Sequence, residues 1–211
     1  MRRVAVAGAT GYTGRRIMER LADHAGWRGR ALVRPESAGR YAAPGGQEAR
    51  PVDFALVPAL IEALRGCDAV IQTIGTTRAQ FRPGVSYATV DFGTTQTLLA
   101  AASRAGVGRF LLLSSAGAGT PVGAYLRWKD RTERLVRAGA LDWTIVRPSA
   151  IVGPGRRAMQ LVLAPLAPLG GLAPWLRAIT ADQLAGCFVN CLDDPTTINQ
   201  TLEGPALWAR V

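Results

Sequence analysis

The sequence predicts an α/β fold: a doubly wound parallel sheet with a small C-terminal region beyond it. Three observations predict it. Short apolar, β-prone runs alternate with segments of helical apolar spacing at regular intervals, the pattern of parallel strands joined by right-handed crossovers. The first such run, Val4 to Ala7, ends in glycines three apart, Gly8, Gly11 and Gly14. A chain of 211 residues, 48% hydrophobic and 19% charged, is also long and apolar enough for one domain with a substantial core.

The stretch from Val4 to Gly14 reads as strand, tight turn and helix, and Arg15 to Leu21 continues with helical spacing. Such a turn suits an anion. Gly8 lets the chain leave the strand sharply, and Gly11 removes a side chain where a pyrophosphate must come close. Gly14 lets the helix pack on the sheet, while the helix N-terminus offers free N–H groups and a partial positive charge. The spacing is GxxGxxG and not the simpler GxGxxG, so the turn taken alone has a purely structural alternative.

Arg30 to Arg34 reads as the second strand. In a nicotinamide-dinucleotide fold its end meets the adenosine ribose, where an arginine suits the 2′-phosphate of NADP and a carboxylate the 2′-hydroxyl of NAD. Arg34 therefore points to NADPH over NADH, with a merely solvated arginine as the plainer alternative. Pro51 to Phe54 is extended and Val57 to Leu64 helical, so Asp53 either meets an adenine amino group or caps that helix.

Asp68 to Gly75 is a buried parallel strand. It leaves Thr73, Ile74, Gly75 and Thr76 at the carboxyl end, where open α/β sheets bind ligands. A helix follows over about Thr89–Ala105, with Phe92, Leu98, Leu99 and Ala102 as its apolar rhythm. Arg109 to Ser115 is the next strand, and a helix runs from Tyr125 to about Ala138. Trp143 to Pro148 is a further strand. Leu161 to Leu176, broken by prolines and glycines, reads as a loop with short helices over an apolar pocket. Thr180 to Gln183 has a capping-box pattern and opens a helix through Val189. The tail, Asn199 to Val211, carries strand-like fragments.

Tyr125 and Lys129 stand four apart, on one helix face. A phenol beside an ammonium is an acid/base pair, because the cation stabilises the phenolate and lets the hydroxyl exchange a proton with an alcohol or carbonyl. The chain holds 25 basic residues, and every one except Lys129 is arginine. A lysine thus falls where a compact ammonium fits the chemistry better than a planar fork. Ser115 would bond the substrate oxygen. Successive strand residues face opposite ways, so a register error of one would put Ser114 there instead, and both serines also read as plain turn residues.

The net charge of +10 is spread along the chain, and no aromatic-basic interleaving points to specific nucleic-acid binding. His24, the sole histidine, leaves no material for a Ser-His-Asp triad or a histidine metal site. The three cysteines form neither a disulfide framework nor a zinc set, and Cys187 and Cys191 read as small buried side chains. No signal peptide or membrane-length apolar run is apparent, so the expected location is cytoplasmic, with a small-molecule substrate and a homodimer allowed.

Gly8-Ala9-Thr10-Gly11-Tyr12-Thr13-Gly14, Ile74-Gly75-Thr76-Thr77-Arg78, Leu113-Ser114-Ser115, Tyr125-x-x-x-Lys129 and Val146-Arg147-Pro148 together resemble the short-chain dehydrogenase/reductase superfamily. The likeness is to its atypical branch of small NAD(P)-binding proteins, the NmrA-like and TIP30-like group. It covers about residues 1–155 well and the remainder loosely. The resemblance implies a Rossmann-type fold with NADP across the strand ends, residues 1–155 forming the cofactor core and 156–211 a small substrate or lid region. It implies that the loop holding Gly8, Thr10, Gly11, Tyr12, Thr13 and Gly14 binds the pyrophosphate, and Arg34 the 2′-phosphate. Asp53 and Phe54 would lie near adenine, Thr73, Ile74 and Gly75 along a ribose, and Pro148 beside the nicotinamide. Tyr125, Lys129 and Ser115 would be catalytic, Lys129 also clamping the ribose. The expected function is NADP-dependent reduction of a small carbonyl or enone. The alternative is a non-catalytic NADP-binding redox sensor, and a sugar-nucleotide epimerase or dehydratase is a weaker third reading.

Overall fold

The computed structural model of the chain describes residues 1–154 and 177–211. Seven parallel strands form the central sheet. They are β1 (Arg2–Ala7), β2 (Trp27–Val33), β3 (Glu48–Pro51), β4 (Ala69–Gln72), β5 (Arg109–Leu113), β6 (Asp142–Arg147) and β9 (Gln200–Glu203). Their order across the sheet is β3-β2-β1-β4-β5-β6-β9. Two-residue strands β7 (Ile151–Val152) and β8 (Ile179–Thr180) pair separately. The order reverses between β1 and β4, so a crevice opens at their carboxyl ends.

Helices cover both faces, and the alternation of side chains along β1 sorts them. Val4 and Val6 face α1 (Tyr12–Ala22), with Ile17, Met18 and Leu21, and also a later helix that carries Leu184 and Phe188. Ala5 and Ala7 face the other layer, where Leu60 and Leu64 come from the helix Val57–Leu64 and Leu98 and Ala102 from the helix Thr94–Arg104. With the short helix Pro35–Ala38 as α2, these last two are α3 and α4. The next, α5 (Gly123–Arg137), contributes Val136 to the same layer. The doubly wound parallel sheet expected from the strand–helix alternation is the fold observed.

Local differences have physical causes. The helix expected from Thr89 begins as a π-helical segment, Tyr87–Gly93, before α4. The wider turn changes which residue points inward: Asp91 is buried, and Phe92 instead rests against Trp128 at 5.8 Å. The helix capped by Thr180 is α6 (Ala181–Asp193), four residues longer than its expected end at Val189. It packs on α1, and Cys187 and Cys191 are both buried on it. The strand-like tail supplies β9, paired with β6 from Thr144↔Gln200 to Arg147↔Glu203. The expected covering loop, 161–176, lies outside the described residues.

Candidate functional site

The turn after β1 has the backbone that its glycines permit. Gly8 has φ +88°, a left-handed conformation that favours glycine, and a Cβ there would stand 2.6 Å from Thr73 Oγ1. The Gly11 amide donates to the Gly8 carbonyl at 2.8 Å, closing the turn. Gly14 sits so tightly over that carbonyl that any Cβ would collide with it. Gly11 is the N-cap of α1 and has no side chain to bond the helix's first amides.

A cavity of about 750 Å³ opens above this turn. Gly8, Thr10, Gly11, Arg34, Phe54, Thr73, Ile74 and Gly75 line it, so the structure brings most of the expected cofactor residues together. Thr76, of the same strand end, also lines it, as do Gln80, Phe81, Arg82, Val85 and Val90 from the segment after β4, to which the sequence did not point. Arg82 and Val85 bond each other's backbone (2.8 and 3.4 Å), with Gly84 at φ +77° turning the chain between them. Among the described lining residues the charged side chains are two arginines, 34 and 82, and there is no carboxylate. Arg34 is exposed, with its Nε 3.3 Å from Glu36, beyond the proline.

Other expected cofactor residues sit elsewhere. Asp53 accepts the Ala55 amide at 2.9 Å and forms a turn; α3 is capped by Leu56. Tyr12 reaches away from the cavity to the Val152 carbonyl at 3.4 Å and touches Gly153. Thr13 is buried with the inner face of α1. The Pro148 carbonyl accepts the Ala116 amide at 2.9 Å. His24 lies at the opposite, amino-terminal edge of the strands. Its Nδ1 accepts from Gly26 and Trp27, and its Nε2 is 3.4 Å from Asp193.

The strand end that holds Thr73 to Gly75 is fixed from inside. Buried Gln72 accepts the Ile74 amide at 2.9 Å and donates to Thr95 at 3.1 Å, while Thr73 Oγ1 donates to the Ala7 carbonyl at 2.9 Å. Behind Gly75 lies the π-helical Asp91. Its Oδ2 accepts the Thr76 amide at 2.9 Å, and its Oδ1 is 2.9 Å from Lys129 Nζ. Asp91 is 2% exposed and Lys129 7%. Burial, the largest single influence, would lower the lysine pKa, but Asp91, with smaller contributions from Tyr125 and Glu133, outweighs it and the net shift is upward. A Cβ on Gly75 would lie 3.5 Å from Nζ, so only a bare backbone separates this ion pair from the cavity. The signal for Asp91 was an acidic residue inside an apolar helical stretch.

Lys129 Nζ stands 5.7 Å from the centre of the Tyr125 ring, one turn earlier on α5. Tyr125 is 37% exposed and leans on Tyr87, which meets Phe81 edge-on at 4.7 Å. An aromatic chain thus joins the cavity lip to the tyrosine. Ser114 and Ser115 diverge as the pleat requires. Ser114 Oγ is buried and donates to Glu133 at 2.5 Å, whereas Ser115 Oγ makes a 3.3 Å bond to the Ala116 carbonyl. No group of three or more potential metal ligands occurs among the described residues.

A glycine turn opening on a crevice with no carboxylate among its described lining residues, at the point where a parallel sheet reverses its order, defines a dinucleotide-binding α/β protein. The chain belongs to the NAD(P)H-binding family, which it matches over residues 8–195. It shares its fold with a short-chain dehydrogenase/reductase superfamily protein of Agrobacterium tumefaciens with bound NAD, at a TM-score of 0.70 and 20% identity, covering 96% of this chain and 77% of that one. A ceramide reductase of Caulobacter vibrioides is 35% identical over 153 residues, 72% of this chain. The chain spans about half the length of that relative, 47%. Among solved structures, the oxidoreductase ylbE of Lactococcus lactis has a TM-score of 0.74 at 21% identity, covering 94% of this chain and 88% of its own. The quinone oxidoreductase QOR2 of Escherichia coli, complexed with NADPH, has a TM-score of 0.72 at 20% identity, with coverage of 95% and 68%. No described helix is long and apolar enough to cross a membrane.

Proposed function

We propose that the protein is an NADP-dependent oxidoreductase that reduces a small carbonyl or enone. The observation that carries this reading is the Tyr125–Lys129 pair on one face of α5, with its ammonium directly behind the cavity wall at Gly75. The cavity suits the cofactor: glycines 8, 11 and 75 line it, and the charged side chains of its described lining are arginines. The turn Gly8–Gly11 and the N-terminus of α1 would hold the pyrophosphate. Arg34 would hold the 2′-phosphate, with Arg82 a second cation on the facing lip. When bound, NADPH supplies the hydride for the carbonyl carbon, or for the β-carbon of an enone. Tyr125 donates its hydroxyl proton to the substrate oxygen in the carbonyl case, Ser115 bonds that oxygen, and Lys129 offsets the charge left on the phenol.

A second reading, a non-catalytic NADP-binding redox sensor, is favoured by one feature: Asp91 already neutralises Lys129. NADPH oxidation against a panel of carbonyls separates the two. We expect Tyr125→Phe to lower kcat by about 10²-fold or more with NADPH affinity kept. Turnover indifferent to that substitution, or absent with every carbonyl despite tight NADPH binding, would sink the enzyme reading. For cofactor choice, Arg34→Ala should weaken NADPH binding by about tenfold and NADH binding less than twofold, read by calorimetric titration.

A further inference from the structure

Tyr125, Lys129, Glu133 and Arg137 follow one another at intervals of four and so share one face of α5. The first two belong to the proposed chemistry and the last two do not. Glu133 is 0% exposed, and its carboxylate is fully engaged. Oε1 accepts from Ser114 Oγ at 2.5 Å and Arg147 Nε at 2.8 Å; Oε2 accepts from Arg147 Nη2 at 2.6 Å and Arg137 Nη2 at 2.7 Å. Arg147 passes the link on, with Nη1 2.9 Å from Glu203 Oε2, and Glu203 Oε1 accepts the Gly117 amide at 3.4 Å. Gly119 lies against the same guanidinium, where a Cβ would stand 2.8 Å from Nη1. The Ala116 amide is tied to Pro148. Ser115 is thus bracketed: the residue before it and those one and two after it are each hydrogen-bonded to α5, β9 or the β6 end, and the fourth after it packs against Arg147.

Stability does not account for this arrangement. Apolar side chains of similar volume often replace a buried ion cluster at no cost, or with a gain. What a bidentate arginine–carboxylate pair adds is direction. We propose that Glu133 is a positioning residue, fixing the tip of β5, and with it Ser115, against the helix face that carries Tyr125 and Lys129. The proposal rests on the oxidoreductase reading. Glu133 acts through Ser114 and Arg147 and touches neither the cavity nor the reacting atoms.

The test uses Glu133→Gln, which keeps the shape, and Ser114→Ala, which cuts only the link to the strand tip and serves if the first fails to fold. With a carbonyl that the wild type reduces, each should lower kcat roughly tenfold, leaving NADPH affinity within about twofold. Adding Ser115→Ala to either should cost far less than it does in the wild type, because the serine is already misplaced. Losses that multiply independently, or an undiminished kcat in folded Glu133→Gln and Ser114→Ala, overturn the proposal. Amide hydrogen exchange gives a readout that needs no turnover. Ala116, Gly117 and Ala118 should exchange about tenfold faster in both variants, with Phe110 to Leu112 still protected. Unchanged exchange at those three amides also overturns it. A wild type without Tyr125-dependent turnover removes the oxidoreductase reading alone, and the exchange comparison then decides the positioning by itself.

Discussion

An ammonium buried beside one carboxylate depends on that partner for its charge. Asp91 raises the Lys129 pKa against the downward pull of burial, so the pair contributes stability that is complete below the lysine's ordinary 10.5 and lost as pH rises through the higher folded value. In Asp91→Asn the largest upward influence is gone, and burial is opposed only by the weaker pulls of Tyr125 and Glu133, so the buried lysine destabilises at neutral pH and is relieved as pH rises. We expect the variant to lose about 3–5 kcal/mol at pH 7, with the gap to wild type narrowing toward alkaline pH in urea unfolding series. A gap that does not change with pH would show that the two charges are not coupled. Lys129 was visible in the sequence, because a lone lysine among arginines stands out. Its partner was not, since nothing in the local pattern says that the turn before α4 is π-helical and aims Asp91 inward.

At the scale of elements, the glycine turn was the most legible part of the chain, because its function lies in the backbone and its spacing states the backbone. Gly14→Ala should be costly in spite of alanine's better helix propensity, since its Cβ collides with the Gly8 carbonyl and α1 cannot stay seated on the turn. We expect a fall of several degrees in Tm together with NADPH binding weakened more than tenfold; a variant as stable and as tight as wild type would mean that α1 adjusts freely. The lip from Thr76 to Val85 was far less legible. Its bonds to Asp91 and its backbone pairing at Arg82 arise only once β4 and α4 are in place. The divergence of Ser114 from Ser115 was readable as a rule of strand geometry, yet which serine faced which way needed Glu133, nineteen residues on.

Across the whole molecule, the alternation of strands and helices was enough to state the sheet, and the two-sided core of β1 follows from its own alternate residues. What the sequence did not disclose is how far the site's supports are drawn from along the chain. Arg147 and Glu203 are 56 residues apart, and Glu203 is brought beside Arg147 by β9 pairing with β6. A chain ended after residue 195 would bare the β6 edge and strip Arg147 of one carboxylate, so we expect it to aggregate on refolding where the longer chain stays monodisperse by light scattering. There is also a consequence in time. The turn that would receive the cofactor, Gly8 to Gly14, is synthesised well before Glu203, the carboxylate that steadies the segment after Ser115. A nascent chain would hold the means to capture a dinucleotide long before the serine loop has its final anchor. Ligand capture, available before β9 is made, would then be one route by which the growing chain retains β1 and its turn until Glu203 arrives.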